Sequence, residues 1–144
     1  MVNSVLTGIS QALYAEFGYR IYSDGVEQNL KPPCFLITPL TLSEKHIINE
    51  RYERNFHYII QYFPKSKKYH IECNEVTERL MNILHEVITD NGIIRSKGEM
   101  KTEVVNGVLM LEVKYNPLVV KVKSNATEDS ELMGSLTQIN NIKE

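Results

Sequence analysis

The stretch Tyr69–Val113, YHIECNEVTERLMNILHEVITDNGIIRSKGEMKTEVVNGVLMLEV, decides how the chain folds. In its first half Cys73, Val76, Leu80, Ile83, Leu84 and Val87 recur at helical spacing, with Glu72, Glu75, Glu78, Arg79 and Glu86 between them. One apolar stripe and one solvated face predict a single long amphipathic helix. Glu75 and Arg79 stand four apart in the favourable order for an ion pair. Asp90-Asn91-Gly92 supplies the stop, because Asn or Gly takes the left-handed conformation that closes a helix. Some twenty residues make a rod of roughly 30 Å, enough to cross a four-stranded sheet.

The second half is a β-hairpin read from Asn106-Gly107, a dipeptide that accepts positive φ at both central turn positions. With Val105 facing Val108, Val104 opposes Leu109, Thr102 opposes Leu111 and Met100 opposes Val113. On the other face Lys101 opposes Glu112 and Glu99 opposes Lys114, opposite-charge pairs that favour this register. A slip by one residue would carry those charges into the core. Helix and hairpin together predict a helix laid on an antiparallel sheet.

Length and composition bound the rest. The chain has 144 residues, 42% of them hydrophobic and 24% charged, with a net charge of −2. That is one domain, able to bury roughly two-thirds of its unfolded surface. The near-neutral balance points away from nucleic acid and anionic membranes. Cys34 and Cys73 lie far apart in apolar patterns, as expected of buried thiols in a reducing cytosol. No apolar run reaches the length of a membrane span, and the first residues lack the pattern of a signal peptide. The expectation is a protein made and folded in a cytoplasm.

Working outward, residues from about Asn3 to Phe17 place Val5, Leu6, Ile9, Ala12, Leu13 and Phe17 on one helical face, with Asn3 or Ser4 as cap and Gly18 as stop. Tyr19 to Ser23 alternates as a short strand closed by Asp24-Gly25. After Pro32-Pro33, Cys34 to about Ile48 reads as a long strand bent at Pro39, since proline cannot donate to a ladder. Asn49-Glu50-Arg51 turns the chain, and Tyr52–Phe63 returns with Tyr52, Phe56, Tyr58, Ile60 and Tyr62 on one face. Pro64 ends that strand, and Lys65, Lys67 and Lys68 form a basic loop before the helix. The final strand runs past Asn116-Pro117, a bulge or edge position, to about Lys123.

From Ser124 the composition turns polar and acidic, with one Lys against Glu128, Asp129, Glu131 and Glu144 in the last 21 residues. Residues 1–123 are therefore read as the domain and 124–144 as an extension, mobile or docking on a partner through Leu132, Met133, Leu136, Ile139 and Ile142. The fold class is α+β, an antiparallel sheet of about four to five strands with two helices packed on one face.

Chemistry is hard to find. His46, His57, His70 and His85 have no carboxylate or Cys at metal-ligand spacing. Glu72, Glu75 and Glu78 decorate the wet face of the helix. There is no phosphate loop, nucleophile elbow or triad, so neither catalytic residues nor a cofactor or metal is expected. A host enzyme or ligand-binding domain would need a pocket of convergent polar groups, which the sequence does not offer. The 8 tyrosines suit half-buried, interface-facing positions.

Certain short signatures occur in a telling order. They are Tyr19-Arg20-Ile21-Tyr22, Lys31-Pro32-Pro33-Cys34-Phe35, Arg51-Tyr52 with Arg54, Tyr62-Phe63-Pro64, Glu72-Cys73-Asn74-Glu75-Val76 and Asn106-Gly107-Val108-Leu109. Over about residues 3–121 the chain resembles the small tail-terminator family of bacteriophages, prophages and phage-tail-like bacteriocins of Gram-positive bacteria. The resemblance implies a non-enzymatic virion protein that forms a six-membered ring on the last ring of the tail tube, stops elongation and meets the neck or head connector. In a contractile tail it would also touch the last sheath layer. The implied partners are further copies of itself, tube protein, sheath protein and neck protein, with no membrane and no sequence-specific nucleic acid. A neck or head–tail joining protein of the same virion is the alternative, since its small α+β fold would look alike. Within this reading Arg51, Arg54, Lys65, Lys67 and Lys68 are the candidate contacts between rings, Arg51 and Arg54 near the tip of the long hairpin. Asn106 and Gly107 are the structural turn.

Overall fold

The computed structural model describes residues 1–23 and 30–122. The order of elements is α1 (Val2–Phe17), β1 (Arg20–Tyr22), β2 (Cys34–Ile48), β3 (Arg51–Phe63), α2 (Tyr69–Ile83), β4 (Glu86–Thr89), β5 (Gly92–Arg95), β6 (Lys101–Val105), β7 (Val108–Tyr115) and β8 (Leu118–Val120). The main sheet runs β1-β2-β3-β7-β6, with β8 also paired to β3, and β4-β5 forms a separate two-stranded sheet. The fold is α+β, with more strands than expected.

The hairpin at Asn106-Gly107 forms in the expected register from Lys101↔Glu112 to Val105↔Val108. Both turn residues have positive φ, 52° and 77°. Regular pairing stops at Lys101, before the Met100 and Glu99 pairs; instead the Lys97 amide donates to the Lys114 carbonyl at 2.8 Å.

Three expectations are corrected. First, the helix expected to reach Asp90 ends at Ile83. The β-branched run Val87-Ile88-Thr89 and the pair Ile93-Ile94 alternate as a hairpin, with Val87 opposite Ile94 and both buried. Asp90-Asn91-Gly92 is the turn of that hairpin, where Thr89 Oγ1 donates to the Gly92 carbonyl and accepts from the Asn91 amide. The buried Tyr115 hydroxyl takes the Leu84 carbonyl at 2.6 Å, closing the helix end. Second, the sheet is mixed, because β1 runs parallel to β2. The eleven residues 23–33 between them supply the long connection that a parallel neighbour requires. Third, α1 starts at Val2 without a side-chain cap, and the single Ser4 hydroxyl proton has the Met1 carbonyl at 2.9 Å and Asp90 Oδ1 at 2.7 Å as its acceptors instead. Its end at Gly18, φ 71°, is as expected.

The core lies between one sheet face and a layer made of α1, α2 and the β4–β5 hairpin. Val5, Ile9 and Leu13 of α1 and Cys73, Val76 and Leu80 of α2 join Phe35, Ile37, Phe56, Tyr58, Ile60 and Tyr62 in one buried cluster. Phe17, Tyr19, Phe35 and Tyr62 form its aromatic end, with ring centroids 4.9–6.3 Å apart. Gly8 sits against the Ile88 carbonyl, so the small hairpin lies directly on α1. Cys34 and Cys73 are free and buried, and burial raises both thiols above their ordinary pKa.

The expected bend in β2 is a bulge that leaves Leu40 without a partner after Pro39. Asn116-Pro117 interrupts the last strand, and the Pro117 carbonyl accepts from the Arg54 amide at 3.0 Å. The Asp24-Gly25 turn and the extension 124–144 lie outside the described residues. No helix among the described residues is long and apolar enough to cross a membrane.

Candidate assembly surfaces

Every β2 residue from Thr38 on is exposed, and beyond the Leu42–Phe56 pair the β2–β3 hairpin becomes an arm with no residue in the buried core. β8 lies along it, pairing Leu118 with Glu53 and Val120 with Arg51. Strand alternation divides the arm's side chains between two faces. The face continuous with the core carries Leu42, Glu44, Arg54, His46, Tyr52 and Val119; the opposite face carries Lys45, Glu53, Leu118, Ile48, Arg51 and Val120.

The core-side face is stapled by charge. Glu44 accepts from Arg54 Nε at 2.9 Å and from the Lys121 ammonium. That ammonium also sits 4.4 Å from the centre of the Tyr52 ring, a favourable cation–π geometry. Partial burial pushes the Glu44 carboxyl up, but the hydrogen bonds and charges of Lys121 and Arg54 outweigh it and hold its pKa low. The His46 ring packs tilted against Tyr52, centroids 4.8 Å apart, and its Nε2 lies 2.7 Å from the Asn49 carbonyl. The network ties β2, β3 and the segment after β8 together on a hairpin end that has no buried core residue of its own.

The five candidate cations are thus placed differently. Arg54 is half-buried and turned to Glu44 and the Met1 sulfur. Arg51 is exposed on the other face, in no ion pair among the described residues. Lys65, Lys67 and Lys68 are exposed in the loop before α2. That loop is held by Glu72, whose carboxylate accepts from the amides of Lys65 and Ser66 at 2.8 Å and from the Tyr62 hydroxyl. Burial raises the Glu72 carboxyl, and these three donors outweigh it, so its pKa is lowered. Tyr62 is pushed the other way, by burial first and by the Glu72 carboxylate second.

Sequence reading missed this clamp by treating Glu72 as one of three solvated carboxylates. Its place in the first turn, six or seven residues from amides released by Pro64, was the available signal. The expected Glu75–Arg79 pair is replaced by a bond between helices: Arg79 donates to the Glu16 carboxylate and carbonyl at 2.8 Å and covers the Phe17 ring at 4.2 Å. His57 lies 3.1 Å from Glu112 on the back of the sheet.

Several large apolar side chains remain exposed: Ile71 by 74%, Ile88 by 72%, Leu118 by 70%, Val120 by 63%, Ile93 by 57% and Ile48 by 55%. Ile88 and Ile93 form a cross-strand pair on the outer face of the β4–β5 hairpin. Ile48, Leu118 and Val120 share one face of the arm, and a contiguous exposed apolar patch of this kind is a candidate contact surface. One open groove of about 450 Å³ beside α1 is lined by Leu6, Ser10, Tyr14 and Ile21. A second, of about 470 Å³, lies between Ile93–Arg95 and Asn116–Val120. Neither gathers the set of acids, bases or nucleophiles that a reaction would need.

A family model described as phage tail terminator protein matches residues 4–127, most of the chain. No curated protein matches the chain significantly.

Proposed function

The chain belongs to the phage tail terminator family, and from that premise we propose that it is a structural virion protein that closes the growing end of a tail tube. Six copies form a ring on the last tube ring, halt elongation and present the surface that receives the neck or head connector; in a contractile particle the ring also meets the last sheath layer. The single observation that carries this reading is the family match over residues 4–127. The physical form agrees with it. A compact body with a charge-tied arm, a pinned basic loop and exposed apolar pairs is suited to repeated protein contacts, and heterologous contacts between identical copies close into rings.

In this reading the arm reaches a neighbouring subunit and the loop Lys65–Lys68 points its cations toward the adjacent ring. Arg54, tied to Glu44, holds β3 to β2 rather than supplying a free charge. The protein acts in the tail of the virion or of a phage-tail-like particle, assembled in the host cytoplasm, and needs no cofactor.

The test is deletion of the gene from its phage or bacteriocin cluster, with particles examined by electron microscopy. Tails of uncontrolled length support a terminator. Tails of normal length that fail to join heads support the neck-protein alternative. Normal, fully joined particles refute both.

A further inference from the structure

The back of the arm and the outer face of α2 are complementary. Across β2, β3 and β8 the back of the arm sets Lys45 beside Glu53 and Leu118, and Ile48 beside Arg51 and Val120. Glu53 is drawn toward Lys97, 3.9 Å away. Lys45 and Arg51 enter no ion pair among the described residues, so the strip is apolar and cationic. On α2, Ile71, Glu75, Glu78 and Met81 form the exposed stripe, Ile71 and Met81 by 74% and 38%. Glu75 has lost Arg79 to Glu16, and neither Glu75 nor Glu78 is paired among the described residues. That stripe is apolar at its ends and anionic in its middle.

We propose that the back of the arm of one copy docks on the α2 stripe of the next copy in the ring, an inference that rests on the tail-terminator reading. The occupant is a second copy because of how the two strips are disposed. α2 covers one face of the sheet, and the arm strip belongs to the opposite face. Each copy therefore offers a cationic strip on one side and an anionic one on the other, and the same contact repeats from copy to copy. A two-fold pairing of arm with arm or helix with helix would set like charges together, which is penalised. The strips are small beside a standard interface of about 800 Å² per partner. One contact alone is weak, and closure of the ring on the tube end makes the set stable.

The experiment uses charge reversal in the full-length chain, supplied to the deletion strain. One variant carries Glu75→Lys and Glu78→Lys; the other carries Lys45→Glu and Arg51→Glu. Each alone is expected to lower the yield of complete particles at least about tenfold, through like-charge contacts at every interface. The fourfold variant, with both strips reversed, restores yield. Co-expression of the two double variants also restores it, because they can alternate around a ring of even number. Thermal melting of each purified variant checks folding; a double that fails to fold is replaced by its neutral counterpart, Glu75→Gln with Glu78→Gln or Lys45→Gln with Arg51→Gln, for which a smaller loss is expected. Double variants that complement fully, or a fourfold variant no better than the doubles, overturn the proposal. In either case the uncomplemented deletion still reports separately on the terminator role.

Discussion

Gly8→Ala tests the least expected packing in the molecule. Gly8 lies mid-helix in α1, where alanine should stabilise by about 1 kcal/mol through helix propensity. The structure reverses that sign. A Cβ built at Gly8 would stand 2.4 Å from the Ile88 carbonyl oxygen and 2.5 Å from Val87 Cγ1, about 0.6 Å inside the 3.0 Å limit that real Cβ contacts respect. The first obstacle is backbone, so no rotamer change relieves it. The β4–β5 hairpin must move off α1, loosening Val87 and Ile94 from the core. Overpacking costs about 1–3 kcal/mol, and a backbone clash belongs at the upper end, leaving a net loss of about 2 kcal/mol. At this chain length that lowers the melting temperature by roughly 8 °C. The assay is thermal unfolding followed by circular dichroism, with Thr7→Ala on the exposed side of the same turn as the propensity control. A Gly8→Ala melting point equal to or above that of the parent would refute the contact.

Four further outcomes are expected. Gly107→Val forces a β-branched residue to φ near 77° and should cost about 1–3 kcal/mol by chemical denaturation; an unchanged midpoint would mean that the turn tolerates negative φ. Glu72→Gln should be less stable than the parent at pH 7, and the gap should narrow on acidification. A carboxyl whose folded pKa is lowered stabilises fully above its ordinary value near 4.5 and loses that contribution as pH falls through the folded value; an equal gap at pH 7 and pH 3 would contradict the clamp. Lys121→Ala frees one side of Glu44 and should raise proteolytic cleavage within the arm, read by mass spectrometry, while the body stays intact. A chain ended at Lys123 should keep the melting temperature of the full chain, since every described element precedes that point; a marked drop would move the domain boundary.

Much of the fold was legible because burial imposes period. The alternation of Phe56, Tyr58, Ile60 and Tyr62, the stripe Cys73, Val76, Leu80 and the turn Asn106-Gly107 each had one physical solution. The stretch after Leu84 had two. Val87 satisfies the helical stripe, seven residues after Leu80, and it equally satisfies a strand that alternates Glu86, Val87, Ile88. Asn91-Gly92 is the same dipeptide as Asn106-Gly107, yet it can cap a helix as well as turn a hairpin. What decided between them is long-range: Tyr115 captures the Leu84 carbonyl, and Gly8 leaves room on α1 for the small hairpin. Neither partner is near in sequence, so no local pattern could reveal the choice. The parallel pairing of β1 was hidden for the same reason, since direction is set by a connection, not by the strand.

The assembly surfaces were legible in proportion to how far they followed from the core. Once Tyr52, Phe56 and Tyr58 share the inner face of β3, parity places Arg54 on that face and Arg51 on the other. The two arginines could therefore have been separated from the sequence alone: one faces its own chain, the other faces outward. Leu118 and Val120 could not be read this way, because an apolar strand residue is exposed only if nothing covers it. The signatures that carry the family likeness include Cys34, Phe35, Tyr62, Cys73, Val76 and Leu109, all buried. They specify the body. Lys45, Ile48, Ile71, Glu78, Met81, Leu118 and Val120 lie outside those signatures, on surfaces that the body leaves free. Two residues of the proposed contact, Arg51 and Glu75, fall within the signatures, so the likeness reaches into both strips; because each charge on the arm faces one on the helix, a change of sign in one strip holds the contact only if the other strip changes with it.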